Sequence, residues 1–271
     1  MHFVDNIKFL SRLTYDNLKE YTNSRAIAAS DKLVLNSIYW FGHATTLMNL
    51  DNNIIITDPV LSNRLGYFKR IVNKPANIRN KKLDYILLSH GHMDHLHFSS
   101  LCKLNKDAIV IVPKGYKKIL QFLGFKNVIL LRHGESYVDK NIKITAIEAN
   151  HDGRRFYIGI DKESNSYMIE SLSHKVFFAG DTALTDSFDG LTCDAAIMPV
   201  GCYMPKRFEH MHCSPIQSYN MFSNMNAKAM IPIHYKTFKI SLENFDKTEE
   251  TLKNIGDPRI KLINIGQTYK L

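Results

Sequence analysis

Two hydrophobic rhythms run along this chain. In residues 1–30, Val4, Ile7, Leu10, Leu13, Leu18 and Tyr21 recur at helix-like intervals, with Lys8, Arg12, Asp16 and Lys19 between them. That spacing predicts one or two amphipathic helices. The polar face carries both signs of charge, which favours packing on the domain over a membrane-surface or dimer contact. From Ser37 the pattern shortens to apolar runs that read as strands at 38–41, 45–48 and 54–57, with turn chemistry at Asp51-Asn52-Asn53. Residues 60–82 have little periodicity and hold Asn63, Asn73, Asn77 and Asn80 among basic residues, as in a long loop or a lid.

Further strands are expected at 83–88, 108–113, 128–131, 141–149, 175–179, 195–200 and 229–233. A hairpin is expected from 156–160 and 167–169, and a closing strand at 260–265. Helices fit between them. One spans 116–123 and stops at Gly124. One starts at Ser214-Pro215-Ile216-Gln217, where Ser is an N-cap, Pro suits the first turn and Gln completes a capping box. The last carries Phe245, Thr248, Leu252 and Ile255 on one face and ends before Gly256 and Pro258. No linker rich in Pro, Gly or Ser interrupts the order of strand-rich half, helix, strand-rich half, helix. One α/β domain of four layers, helices outside two packed sheets, accommodates it.

The candidate chemistry sits where buried strands end. The strand at 83–88 runs into Ser89-His90-Gly91-His92-Met93-Asp94-His95, four metal-ligand side chains within six residues. Gly91 lets the backbone turn without a Cβ clash. Neutral imidazole and carboxylate suit zinc and related first-row metals. Two histidines at i and i+2 can converge on one ion, while an Asp and a His further on can serve a second about 3.5–4 Å away. A solvated His-rich loop is the bland alternative, but such tracts do not follow a buried apolar strand. Other expected strands deliver His151, Asp181 and His234, which would line the ligands along one sheet edge.

Composition adds little and excludes more. The chain has 271 residues, 45% hydrophobic, enough for a sizeable core. Its net charge of +9 favours an anionic substrate or surface, although Lys is scattered and forms no nucleic-acid tail. Cys102, Cys193, Cys202 and Cys213 show no C-x-x-C or framework spacing and read as free thiols in a reducing compartment. No uninterrupted apolar region opens the chain, and no run of about 18 apolar residues follows. A cytoplasmic enzyme, with peripheral membrane contact as an option, is expected.

The constellation His90-x-His92-x-Asp94-His95, then His151, Asp181 and His234, each after a strand, resembles the metallo-β-lactamase superfamily. Within the superfamily the chain resembles the branch of N-acylphosphatidylethanolamine-hydrolysing phospholipase D and its bacterial relatives. The supporting residues are Trp40-Phe41-Gly42-His43-Ala44-Thr45, Thr57-Asp58-Pro59, residues 199–207, His212-Cys213-Ser214-Pro215 and residues 232–238. Sugar-phosphate lactonases are a more distant similar group. The resemblance implies an αββα sandwich at 31–271 preceded by a helical segment at 1–30. It also implies two zinc ions per chain, with manganese or iron as alternatives. His90, His92 and His151 would hold the first metal; Asp94, His95 and His234 the second; Asp181 would bridge both. A metal-bridging hydroxide would be the nucleophile, oriented by Asp94. His97 stands where relatives usually have Asp, and no Trp-rich run follows His151.

His212 precedes a helix N-terminus, an anion-binding position, and joins Asp94 as a catalytic candidate. His43, Arg154, Lys206 and Arg207 are the substrate-binding candidates; the cations could pair with a phosphate. The leading expectation is a phosphodiesterase, phospholipase D-like, acting on an anionic phosphate-containing small molecule or lipid. A lactonase for a phosphorylated small molecule, a nuclease without an appended RNA-binding module, and a non-catalytic metal-binding sensor are the alternatives. A homo-oligomer is open on these residues.

Overall fold

The computed structural model describes residues 2–75, 78, 81–158 and 163–271. In chain order, α1 (His2–Thr22) precedes β1 (Ser37–Gly42), β2 (Thr45–Leu50), β3 (Asn53–Thr57), β4 (Arg64–Leu65), β5 (Phe68–Lys69) and β6 (Tyr85–Leu87). Then come α2 (Phe98–Leu101), β7 (Ile109–Val112), α3 (Lys117–Phe122), β8 (Asn127–Leu130), β9 (Ser136–Asp139) and β10 (Ile142–Glu148). The second part holds β11 (Asn165–Glu170), β12 (Lys175–Phe178), β13 (Thr192–Cys193), β14 (Ala195–Pro199), α4 (Pro215–Ser223), β15 (Asn226–Ala227), β16 (Met230–Ile233), α5 (Phe245–Ile255) and β17 (Thr268–Lys270).

One sheet has the order β17-β1-β2-β3-β6-β7-β8, the other β16-β14-β12-β11-β10-β9. Strand alternation explains the layers. Ile38, Trp40, Met48 and Ile55 join Ile144, Ile169 and Phe177 in the core between the sheets. Their sequence neighbours Tyr39, Phe41, Leu47 and Ile56 face the other way and pack with Leu101 and Leu120 of α2 and α3. Met221, Phe222 and Leu252 of α4 and α5 close the second sheet. Helices outside two packed sheets are therefore the observed architecture.

Parallel pairing sets where the chemistry can be. β3 pairs parallel with β6, and β12, β14 and β16 pair parallel in turn. Their carboxyl ends share an edge, the usual place for a site in such sheets. Asp58 follows β3, Asp181 follows β12, Cys202 follows β14 and His234 follows β16. The two sheets are tied together at this edge, where Asn165 N–H donates to Ser89 O at 2.8 Å and Tyr167 Oη donates to Leu88 O at 2.7 Å.

Four expectations change. The strand expected at 260–265 is reduced to a single bridge, Ile260 to Met230 of β16; the chain closes the first sheet with β17, antiparallel to β1. The partner of β11 is β10, in register from Lys143↔Glu170 to Glu148↔Asn165. Residues Arg155–Tyr157 form a 3₁₀ turn instead of a strand, and 159–160 fall outside the described residues. The lid expected at 60–82 is pinned down over its described part. Arg70 is buried there and donates to the carbonyls of Phe41 and Val60, both at 3.0 Å. Of the expected loop, 76, 77, 79 and 80 fall outside the described residues.

The fourth change concerns α1. It is one helix, and the chain after it is already woven into the domain, with Ala26 N–H on Ile71 O and Ala29 N–H on Ile265 O. Of its apolar series only Leu13 is buried, beside Asn17, whose amide donates to Lys239 O at 2.8 Å. Val4, Ile7, Leu10, Leu18 and Tyr21 face solvent. The periodic stripe is not the docked face.

Candidate metal centre

The loop after β6 is folded by close approach of backbone to side chain. Gly91 keeps an ordinary φ; what requires glycine is Tyr116, whose hydroxyl would stand 2.0 Å from an added Cβ. That hydroxyl and Gly91 N–H both donate to Gly153 O, at 2.6 and 2.9 Å. The His90–His95 loop is thereby fastened to the segment that carries His151. Non-glycine residues His43, Asp58, Cys202 and His234 all take positive φ around this centre. Such strain collects where side chains are aimed for a task. The Trp40 indole, donating to His43 O at 2.9 Å and stacked on Tyr235, braces two of these turns.

All seven predicted ligands meet. The ligand atoms of His90, His92 and His151 lie within 4.8 Å of one another, as do those of His90, His95 and Asp181 and those of His43, Asp94, His95 and His234. Hydrogen bonds facing away from the centre decide which ring nitrogens are free to bind. His151 Nδ1 donates to Met211 O at 2.7 Å. His95 Nδ1 donates to Asp58 Oδ2 at 2.7 Å. Ser89 Oγ gives its proton to Asp58 Oδ2 at 2.6 Å, so it accepts from His90 Nδ1 at 2.9 Å. In each ring the Nε2 lone pair is left pointing inward.

Those lone pairs converge. His95 Nε2 faces His234 Nε2 at 3.2 Å, and His151 Nε2 faces His92 Nδ1 at 3.2 Å. His90 Nε2 and both Asp181 oxygens are buried without a hydrogen-bond partner. Asp181 Oδ2 lies 3.1 Å from His95 Nε2, and Oδ1 lies 3.1 Å from His234 Nε2. Without metal this buried carboxylate needs extra protons on the imidazoles that face it; cations between them would let neutral imidazoles and the carboxylate all bind. The donor set, nitrogen and oxygen only, fits zinc, manganese or iron.

Burial alone would raise the Asp181 carboxyl, but the His234 and His95 imidazoles outweigh it and hold it well below the usual range. Asp94 is likewise held low against burial by His95, with His234 and His43 bonded to it. Burial lowers His234, yet Asp181 beside it pushes the imidazole up to about 9. His90 and His151, buried among other histidines, are driven well down and stay neutral.

The remaining candidates separate. His212 stands on the centre, Nδ1 3.6 Å from Asp181 Oδ2, just ahead of α4 with its Ser214–Gln217 capping box. Burial lowers its imidazole to about 4. It shares with Asp94, Asp181 and Phe208 a cavity of 160 Å³. His43 reaches the centre; it is buried, with Nε2 2.9 Å from Asp94 Oδ2. Arg154 is held by Asp152, its Nη2 2.6 Å from Oδ2. Lys206 and Arg207 line an adjoining cleft of 460 Å³ with Asp5, Lys8, Phe9, Pro205 and Leu242. His97 bonds Ser100 Oγ at 2.7 Å, away from the ligands.

Sequence reasoning missed Asp58 as a working residue. It is buried, accepts three hydrogen bonds, and orients both Ser89 and His95. An Asp directly after a buried strand, just before Pro59, was the available signal. Cys202 was also missed; it lines the cavity, and its N–H donates to Glu243 Oε1 at 2.8 Å.

A family model for the β-lactamase superfamily domain matches residues 53–235. The chain is 28% identical over 268 residues to the N-acyl-phosphatidylethanolamine-hydrolyzing phospholipase D 1 of Caenorhabditis elegans, covering 85% of this chain and 74% of that protein. It is 30% identical over 239 residues to the mitochondrial N-acyl-phosphatidylethanolamine-hydrolyzing phospholipase D of Saccharomyces cerevisiae, covering 80% of this chain. It spans only 51% of the yeast protein's length. In fold it is similar to a metallo hydrolase from Ignicoccus hospitalis, with a TM-score of 0.67 at 18% identity, covering 87% of this chain and 98% of that one. The match over residues 53–235, with the ligand edge just described, places this chain in the metallo-β-lactamase superfamily of metal-dependent hydrolases, in its N-acylphosphatidylethanolamine phospholipase D-like branch.

Proposed function

We propose that this protein is a dinuclear-zinc phosphodiesterase whose substrate is a phosphodiester carried by a lipid or a related glycerophosphodiester. The observation that supports it most is the meeting of two ligand groups at the buried carboxylate of Asp181, whose oxygens face His95 and His234. His90, His92 and His151 would hold one ion, Asp94, His95 and His234 the other, with Asp181 between them. When bound, the metals supply Lewis acidity and an activated water at neutral pH.

The chain's own residues do the rest. Asp94, partly exposed to the cavity and steadied by His43, accepts a hydrogen bond from the attacking group and so orients it. His212, neutral near pH 7, offers an N–H to a phosphoryl oxygen as its charge grows. The 160 Å³ cavity admits a phosphodiester and its nearest atoms, not a whole lipid; small-molecule sites are usually about 300–1,000 Å³. The rest of the substrate must leave past Phe208. There it meets the cleft lined by Phe9, Pro205 and Leu242 together with Asp5, Lys8, Lys206 and Arg207, a mixture of apolar and mostly basic side chains that favours an anionic lipid over a small polar lactone.

The test is turnover of bis(4-nitrophenyl) phosphate and of a phosphatidylethanolamine derivative, set beside a panel of lactones. Turnover of the phosphodiesters should vanish with chelator and return with zinc, with manganese and iron as comparison metals. Failure to turn over any phosphodiester in a chelator-sensitive way, or faster turnover of lactones, would overturn the proposal.

A further inference from the structure

We propose that α1 docks the enzyme on an anionic lipid surface. Plotted at about 100° per residue, Val4, Ile7, Leu10, Tyr15, Leu18 and Tyr21 share a sector of roughly 140°, with only small hydroxyl side chains among them. All six are exposed, Leu10 at 54% and Leu18 at 62%, while the Tyr21 hydroxyl also donates to Tyr67 O at 2.6 Å. A helix that holds the domain through Leu13 and Asn17 has no folding reason to turn its apolar stripe outward.

The charges beside the stripe identify the occupant. Lys8, Arg12 and Lys19 fall in a sector of roughly 40° along one edge, all exposed. Asp5 lies beyond them. Asp16, the acid that made the polar face look mixed, is turned toward the body and pairs with Arg12 at 3.2 Å and Lys239 at 3.9 Å. The exposed pattern is thus apolar stripe, basic edge and tyrosines. Arg64 adds to it by lying over the Tyr21 ring at 5.3 Å. These are the features of an interfacial helix. A second copy fits worse, because two such helices packed antiparallel about a two-fold axis would set the basic edge against itself.

The surface lies next to the chemistry. Phe9 of α1 meets Phe208, a wall of the metal cavity, at 5.1 Å between ring centroids. Arg207 lies over Phe9, and Lys8 shares the adjoining cleft with Lys206. A membrane under α1 would present head groups at that cleft. Delivery of a lipid phosphodiester rests on the proposed function; the docking itself does not.

The experiment is co-sedimentation of the full chain with phosphatidylcholine vesicles, with and without phosphatidylglycerol, at two salt concentrations. The protein should sediment with the anionic vesicles, less so at high salt. Arg12→Gln/Lys19→Gln should weaken partitioning roughly 25-fold, since each basic residue contributes about five-fold. Leu10→Asp/Leu18→Asp should abolish binding. Both variants should keep wild-type far-UV circular dichroism and turnover of the soluble aryl phosphodiester. No sedimentation with anionic vesicles at low salt, or variants that sediment like wild type, would overturn the proposal. So would a dimer in light scattering that Leu18→Asp dissolves, which would make a second copy the occupant. Vesicle binding without phosphodiester turnover would leave the docking intact and remove the proposed chemistry.

Discussion

Asp58→Asn changes one atom and should disarm a ligand it never shares with the metal. Ser89 N–H donates to Oδ1 at 2.8 Å, while Ser89 Oγ and His95 Nδ1 both donate to Oδ2, at 2.6 and 2.7 Å. In asparagine the oxygen must stay opposite the backbone N–H, so the amide nitrogen takes the Oδ2 position. It then donates where it formerly accepted. His95 has to give up its Nδ1 proton, and the stable neutral tautomer carries hydrogen on Nε2, the atom directed at Asp181. The lone pair that binds metal is gone. Substitutions of this kind cost about 10–100-fold in metal affinity or activity, or about 1.4–2.7 kcal/mol. Competition with a chromophoric chelator should show the weaker of two sites loosened by that factor, with the site of His90, His92 and His151 less affected. Turnover at limiting zinc should fall in parallel and recover when zinc is added. An Asp58→Asn protein that holds two ions with wild-type affinity would refute the tautomer argument.

Other changes probe other parts. Asp94→Asn should abolish turnover at saturating metal with only a modest fall in melting temperature; an active variant removes Asp94 from the mechanism. His212→Ala should leave metal content unchanged and reduce kcat about 10²–10⁴-fold, the range for a lost proton-transfer or oxyanion contact; an unchanged kcat removes His212 from the chemistry. Metal loading should release protons at neutral pH. Without metal His234 titrates near 9, raised by Asp181, so it is protonated at pH 7 and must lose that proton to bind. Affinity should therefore fall as pH drops, and calorimetry in buffers of different ionisation enthalpy should count the protons; zero release contradicts the ligand set. Gly91→Ala should destabilise the fold by about 1–3 kcal/mol through overpacking on Tyr116. Tyr116→Ala in the same chain should recover part of that in denaturant unfolding.

The ligands were legible because each follows a buried strand, and strands are written in apolar runs. Their convergence rests on pairing. β3 lies parallel to β6 with Thr57 opposite Leu87, which sets Asp58 beside Ser89 although 31 residues separate them. No local pattern carries that contact, so Asp58 was seen as part of a motif and not as the residue that orients His95. The same limit explains the misplaced strands. Residues 260–265 are apolar enough for a strand, yet antiparallel pairing with β1 falls to Thr268–Lys270. Spacing on α1 showed a stripe correctly but could not say which way it faced. Leu13 and Asn17 made the contact with the body, and the more regular residues were left outside. The residues around His43 did not decide between a core histidine and a group near the metals; the fold, with a positive φ of 55° there, sets its ring against Asp94.

Everything depends on two cations sharing Asp181. Anomalous diffraction from a zinc-soaked crystal of this protein tests that most directly. Two peaks should flank the Asp181 carboxylate, one among His90, His92 and His151 and the other among Asp94, His95 and His234. A single peak, or peaks that leave either group of imidazoles without metal, would contradict the account.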